Sequence, residues 1–117
     1  MAERDASLDV LLDLDGVVLV VDPQGGHWVR FVVTRVPASR DKPHGLDYSL
    51  TLHGQDGERL VGFDNAHLPE PVRRGGALDH WHRGDRIRSY EYRDAVTLVE
   101  DFWKAVDAVL KERGVKT

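Results

Sequence analysis

Residues Asp79 to Arg86 read DHWHRGDR: two histidines one residue apart, a carboxylate just before them and two arginines close behind. Asp64, Asn65, His67 and Tyr90 flank this stretch, and nowhere else is the chain so dense in side chains that titrate or ligate. An extended backbone sends alternate side chains to opposite faces, so on a strand His80 and His82 share one face while Asp79 and Trp81 take the other. On a helix the two histidines would diverge by about 200° and could not act as a pair.

Three readings of the cluster compete. In the first, the histidines cleave RNA: one takes the proton of the 2′-hydroxyl, the other protonates the leaving 5′-oxygen, and an arginine stabilises the charge that builds on the phosphate. Histidine suits the task because its ordinary pKa near 6.5 allows both protonation states at neutral pH. No metal or other cofactor is needed, since the nucleophile belongs to the substrate. In the second, His80 and His82 join His67 or Asp64 around a divalent ion such as zinc, which needs three or four ligands at about 2 Å. In the third the stretch is structural: Asp79 caps a turn, the histidines are solvated and the arginines pair with acids of a helix. His27, His44 and His53 have no clustered polar neighbours in sequence and read as incidental. Trp81 and Tyr90 are placed either to stack on a base or to pack an edge.

The elements around the cluster follow from periodicity. Val17 to Val21 and Trp28 to Val36 are β-branched runs separated by DPQGG, which predicts a hairpin. The preceding SLDVLLDLDG places Leu8, Val10, Leu12 and Leu14 at period two and is read as a strand, although Leu8, Leu11 and Leu12 also fit a helical face. Leu46 to His53 alternates cleanly, and after the turn residues GQDGE the run Arg59 to Asp64 returns as the next strand. Gly62 inside that run predicts a bulge or the close approach of another backbone. DHWHRGDRIRSYEY is expected as a short extended or looped segment. From Ala95 the apolar residues Leu98, Val99, Phe102, Val106, Val109 and Leu110 form one helical face, with Asp94 as N-cap and Gly114 as stop.

Strands first and a long helix last define an α+β class: one domain over 1–117, with an antiparallel sheet of about four to six strands covered on one face by a C-terminal helix at about 94–113. The 117 residues leave no room for a second domain.

Composition narrows the function. There is no cysteine, which removes disulfides, thiolate ligands and a thiol nucleophile. No apolar run approaches the roughly 20 residues of a membrane span, and MAERDASLD lacks the features of a signal peptide, so a soluble cytoplasmic protein without membrane partners is expected. A net charge of −4 argues against a protein that coats nucleic acid broadly. Yet Arg73, Arg74, Arg83, Arg86, Arg88 and Arg93 face only Asp79, Asp85 and Glu91 within their segment, a local basic excess suited to gripping a few phosphates.

The pieces RVP, PHGLDYSLTL, LVGFDNAH, DHWHRG and YEYRDAVTLVEDFWKAVDAVL, running from about Val17 to the end of the helix, resemble the TumE-like toxin family of bacterial toxin–antitoxin modules. The most telling are the Asp64-Asn65 pair after a strand, the Asp79-His80-x-His82 element, and the aromatic segment leading to Leu98, Asp101 and Phe102. Here HLPEPVRRGGAL separates the first two elements, a longer link than the family pattern implies. The resemblance implies a small toxin silenced by a helix-turn-helix antitoxin, and it raises the ribonuclease reading above the others. On that reading His80 and His82 are acid and base, Arg83 stabilises the phosphate, and Asp79, Asn65 and His67 orient them. Trp81, Arg86, Arg88 and Tyr90 contact the RNA, and either a monomer or a homodimer is compatible. The alternatives carried beside it are a noncatalytic protein- or RNA-binding module and a divalent-metal hydrolase.

Overall fold

The computed structural model describes residues 8–40, 42–65 and 79–115. Helix α1 (Leu8–Asp13) leads into β1 (Val18–Val20), β2 (Trp28–Arg35), β3 (Leu46–His53), β4 (Arg59–Asp64), β5 (Asp79–Arg83) and β6 (Arg86–Tyr90), and the chain ends in α2 (Ala95–Glu112). Each strand pairs antiparallel with the one before it, giving a six-stranded meander in the order β1 to β6. The architecture is the α+β one that the strand-then-helix order predicts.

The alternation of β3 becomes two faces. Leu46, Tyr48, Leu50 and Leu52 are buried, while Asp47, Ser49, Thr51 and His53 turn away from the core. Val29, Phe31 and Val33 of β2 and Val61 and Phe63 of β4 extend the apolar face, and α2 lies across it with Leu98, Phe102, Val106, Val109 and Leu110 inward. At 18 residues α2 is about 27 Å long, enough to cross the central strands. Phe102 meets Phe31 and Phe63 edge-on, with centroids 5.6 and 6.1 Å apart. Asp94 caps the helix, its Oδ1 accepting the Thr97 N–H at 2.7 Å, and Gly114 closes it at φ +71°.

Three expectations need correction or refinement. Leu8–Asp13 is a helix and not a strand: burying Leu8 and Leu11 three residues apart against α2 and β2 leaves Val10 exposed, whereas period two would have put Leu8 and Val10 on one face. DHWHRGDRIRSY is a regular hairpin, β5–β6, closed by Gly84 and Asp85; Gly84 takes φ +61°, which the first central residue of a II′ turn requires. The irregularity near Gly62 falls two residues earlier. The β3–β4 register runs Leu52 to Val61 and then His53 to Arg59, so Leu60 is the extra residue. What approaches Gly62 is a side chain: a Cβ there would lie 3.3 Å from Arg59 Cδ.

The bulge decides which face Arg59 takes. Without it Arg59 would share the buried face of Val61 and Phe63; with it, Arg59 pairs with His53 and lies on the face opposite the helix.

Candidate active site

Cross-strand register builds two distinct polar sites, one on each face of the sheet. Asp64 opposes Ser49 and His80, and Gly62 opposes Thr51 and His82. His80, His82, Asp64, Ser49 and Thr51 therefore stand on the face that α2 leaves uncovered, and Arg59 reaches across Gly62 toward the position beside His82. His80 and His82 share a face, as an extended DHWH segment predicts.

The Nε2 atom of His82 is 2.8 Å from Asp64 Oδ2, and both side chains are largely shielded from solvent. The contact has the length of an ion pair without the alignment of an N–H···O bond, and among the described residues neither ring nitrogen of His82 has a hydrogen-bond partner. Both ring nitrogens are closed off from solvent although the sheet face is open, and the Asp64 carboxylate is the polar group against this imidazole.

The helix-side site is a closed network. Tyr48 donates its hydroxyl to Asp79 Oδ2 at 2.6 Å, and His44 Nε2 donates to Asp79 Oδ1 at 3.1 Å. The His44 ring stacks on Tyr92, centroids 3.8 Å apart. Burial first, then the negative charge of Asp79, pushes the Tyr48 hydroxyl far above the usual tyrosine range.

Asn65 is fully buried beside this network. Its Nδ2 donates to Leu46 O at 2.7 Å and its Oδ1 accepts the Tyr48 N–H at 3.0 Å, so the side chain supplies the rung by which β4 would have continued to pair with β3. Lys42 Nζ adds bonds to Asn65 O at 2.7 Å and to Oδ1 at 3.2 Å. Asn65 and Asp79 thus anchor the two strand ends on either side of residues 66–78.

The sequence-predicted residues therefore divide. Asp79 and Asn65 face the helix side and do not touch His80 or His82. Arg83 shares the Asp79 face and forms an ion pair with Glu112 of α2, as the structural reading anticipated for the arginines. Tyr90 is buried, and its hydroxyl donates to Asp101 Oδ2 at 2.7 Å, so it joins the hairpin to the helix. Trp81, Arg86 and Arg88 line a cleft with Arg83 on the helix-side face of the hairpin. His67 lies outside the described residues. Among those residues no three histidine, aspartate or glutamate side chains converge as a metal requires.

Sequence reasoning missed two residues of these polar networks. His44 stands 35 positions before Asp79, with no local pattern to link them. Arg59 reaches the histidine face only because of a bulge that the Gly62 signal hinted at from two residues away. The remaining histidines have structural roles: His53 stacks on Trp28 with centroids 4.1 Å apart, and His27 bonds Asp22.

A six-stranded meander covered on one face and carrying a histidine pair on the other defines a small α+β domain with an open, polar sheet surface. Residues 11–110, nearly the whole chain, match the family described as Toxin TumE, and the chain belongs to that family. Membership makes it the toxin component of a toxin–antitoxin module, with an antitoxin as its general partner. Comparison with curated proteins and with solved structures found no match. Among the described residues no helix is long and apolar enough to cross a membrane.

Proposed function

We propose that this toxin is a metal-independent ribonuclease whose active site is the uncovered face of β4 and β5. The observation that carries the proposal is the pairing of His80 and His82 on that face with the Asp64 carboxylate 2.8 Å from His82. A carboxylate against an imidazole holds the ring in place, the arrangement acid–base catalysis uses. One histidine removes the 2′-hydroxyl proton as that oxygen attacks phosphorus, and the other protonates the departing 5′-oxygen, leaving a cyclic phosphate. Arg59, on the same face, takes the phosphate-stabilising role that Arg83 was expected to fill, since Arg83 is paired with Glu112 on the other side. Asp79 and Asn65 support the site by fixing the strand ends. The protein acts in the cytoplasm and is silenced by a helix-turn-helix antitoxin.

The test is cleavage of a labelled RNA by purified protein with and without chelator, beside growth assays of the same variants. Wild type should cut with chelator present and arrest growth, and His80→Ala or His82→Ala should do neither. Undiminished cutting by both variants would remove the histidines from the mechanism. Growth arrest without any cutting would leave the noncatalytic module, and activity lost to chelator would favour the metal hydrolase.

A further inference from the structure

The β5–β6 hairpin presents polar side chains on both surfaces of the sheet. His80 and His82 alternate with Trp81 and Arg83, so the face opposite the histidines presents Trp81, Arg83, Arg86 and Arg88 around a cleft of about 100 Å3. β6 is the last strand of the meander, and its outer edge pairs with no other strand among the described residues. Only one strand, with Ile87 beside His82 and Ser89 beside His80, separates the catalytic face from that edge. A single strand spacing is about 4.8 Å, and both sides of the edge are therefore within reach of a short flexible chain.

The chemistry of the cleft is specific. Trp81 is stacked on Phe63 on one side, centroids 5.9 Å apart and planes 21° from parallel, which fixes the ring. The Arg88 guanidinium lies over the indole ring, 5.8 Å from its centre. Arg83 is neutralised by Glu112, but Arg86 and Arg88 have no ion pair among the described residues, and Asp85 in the turn is the one acid between strands. Arg88 is exposed, so its guanidinium can swing aside to admit a planar ring over the fixed indole, and the Arg86 and Arg88 guanidiniums then suit the phosphates of that base. Ile87, 54% exposed at the edge, gives the bridging segment an apolar surface.

Resting on the ribonuclease reading, we infer that the substrate is single-stranded RNA that wraps the β6 edge, with the scissile phosphate over His80 and His82 and a flanking nucleotide held on the opposite face by Trp81, Arg86 and Arg88. A rigid duplex cannot fold around an edge one strand wide, so the site selects unpaired RNA. The flanking grip lets a chain of net negative charge hold RNA with few basic residues.

The experiment measures binding apart from cleavage. A fluorescent single-stranded 2′-O-methyl RNA, which lacks the attacking hydroxyl, is titrated into the full chain and read by anisotropy, with a duplex of the same sequence as comparison. Wild type should bind the single strand and not the duplex. Trp81→Ala should weaken binding by about tenfold or more. Arg86→Gln and Arg88→Gln should each reduce the slope of log affinity against log salt by about 0.7. Because Trp81 packs on Phe63, the exposed Arg86→Gln variant, with an unchanged melting curve, guards against a folding artefact. Binding lost in these variants without cleavage by wild type would keep the wrapped RNA site and remove the nuclease. Wild-type cleavage with RNA binding unchanged in all three variants, equal binding of the duplex, or loss confined to an antitoxin complex would overturn the inference.

Discussion

The Asp64 carboxylate lies 2.8 Å from His82 Nε2 although the two are not cross-strand partners: Asp64 opposes His80, and His82 opposes Gly62. The diagonal is open because Gly62 has no side chain to stand between them, and Arg59 fills the space above Gly62 instead. If Asp64 holds the His82 ring in place, Asp64→Asn should keep the fold and lower kcat for RNA cleavage. The loss should be smaller than the roughly 10²–10⁴-fold expected from deleting the base itself. Single-turnover cleavage of one RNA by Asp64→Asn and His82→Ala decides it; an Asp64→Asn protein as fast as wild type removes the carboxylate from the mechanism.

Asp79 has the opposite character. Its two oxygens are occupied by Tyr48 and His44 inside the protein, which predicts a contribution to stability. Tyr48→Phe removes a donor from a buried carboxylate and should cost about 1–3 kcal/mol in urea unfolding. Once allowance is made for the fraction folded, cleavage by the variant should match wild type. A fall in kcat with unchanged stability would instead bring Asp79 into the chemistry.

The contrast between these carboxylates shows what the sequence could convey. Strict alternation over Leu46–His53 and the apolar face from Ala95 onward were legible because period alone separates buried from exposed positions. The same rule placed His80 and His82 together and put Asp79 opposite them. It could not say which arginine accompanies the histidines, because one extra residue at Leu60 moves Arg59 to the other face. Nor could it say that His44 meets Asp79, since that contact depends on how β3 approaches β5 through β4. The first helix was misread because six residues with leucines at both spacings satisfy either period, and packing against α2 chose between them.

The buried tyrosines predict an alkaline limit. Tyr48 is raised by burial and by Asp79, and Tyr90 by burial and its bond to Asp101, both from an ordinary value of 10.0. For an acid raised in the folded state, the folded form holds the proton longer than the unfolded chain does. Their contribution is therefore complete below about pH 10 and is lost as pH climbs from there toward the folded-state values. Urea midpoints should hold steady up to that point and then fall, and Tyr90→Phe should fall less steeply. Parallel limbs for wild type and variant would show that Tyr90 ionises as freely in the fold as outside it.

At the other end of the molecule, Arg113 Nε donates to His27 Nε2 at 3.1 Å, and His27 Nδ1 lies 2.5 Å from Asp22 Oδ2. Arginine only donates, so Nε2 accepts and the Nδ1 proton points at the carboxylate. That bond is the leading cause that holds Asp22 below its ordinary 3.8. A carboxyl lowered in the fold contributes stability above the unfolded value, and the contribution is lost as pH falls through the folded one. Asp22→Asn should therefore be less stable than wild type at neutral pH, and the gap should close as pH drops below 3.8. The chain tied here runs from the β1–β2 loop through His27 to the end of α2, so the helix terminus should loosen together with the loop. Amide exchange at Val109–Arg113 faster in Asp22→Asn than in wild type at neutral pH would show the coupling, and unchanged exchange would confine Asp22 to its own loop.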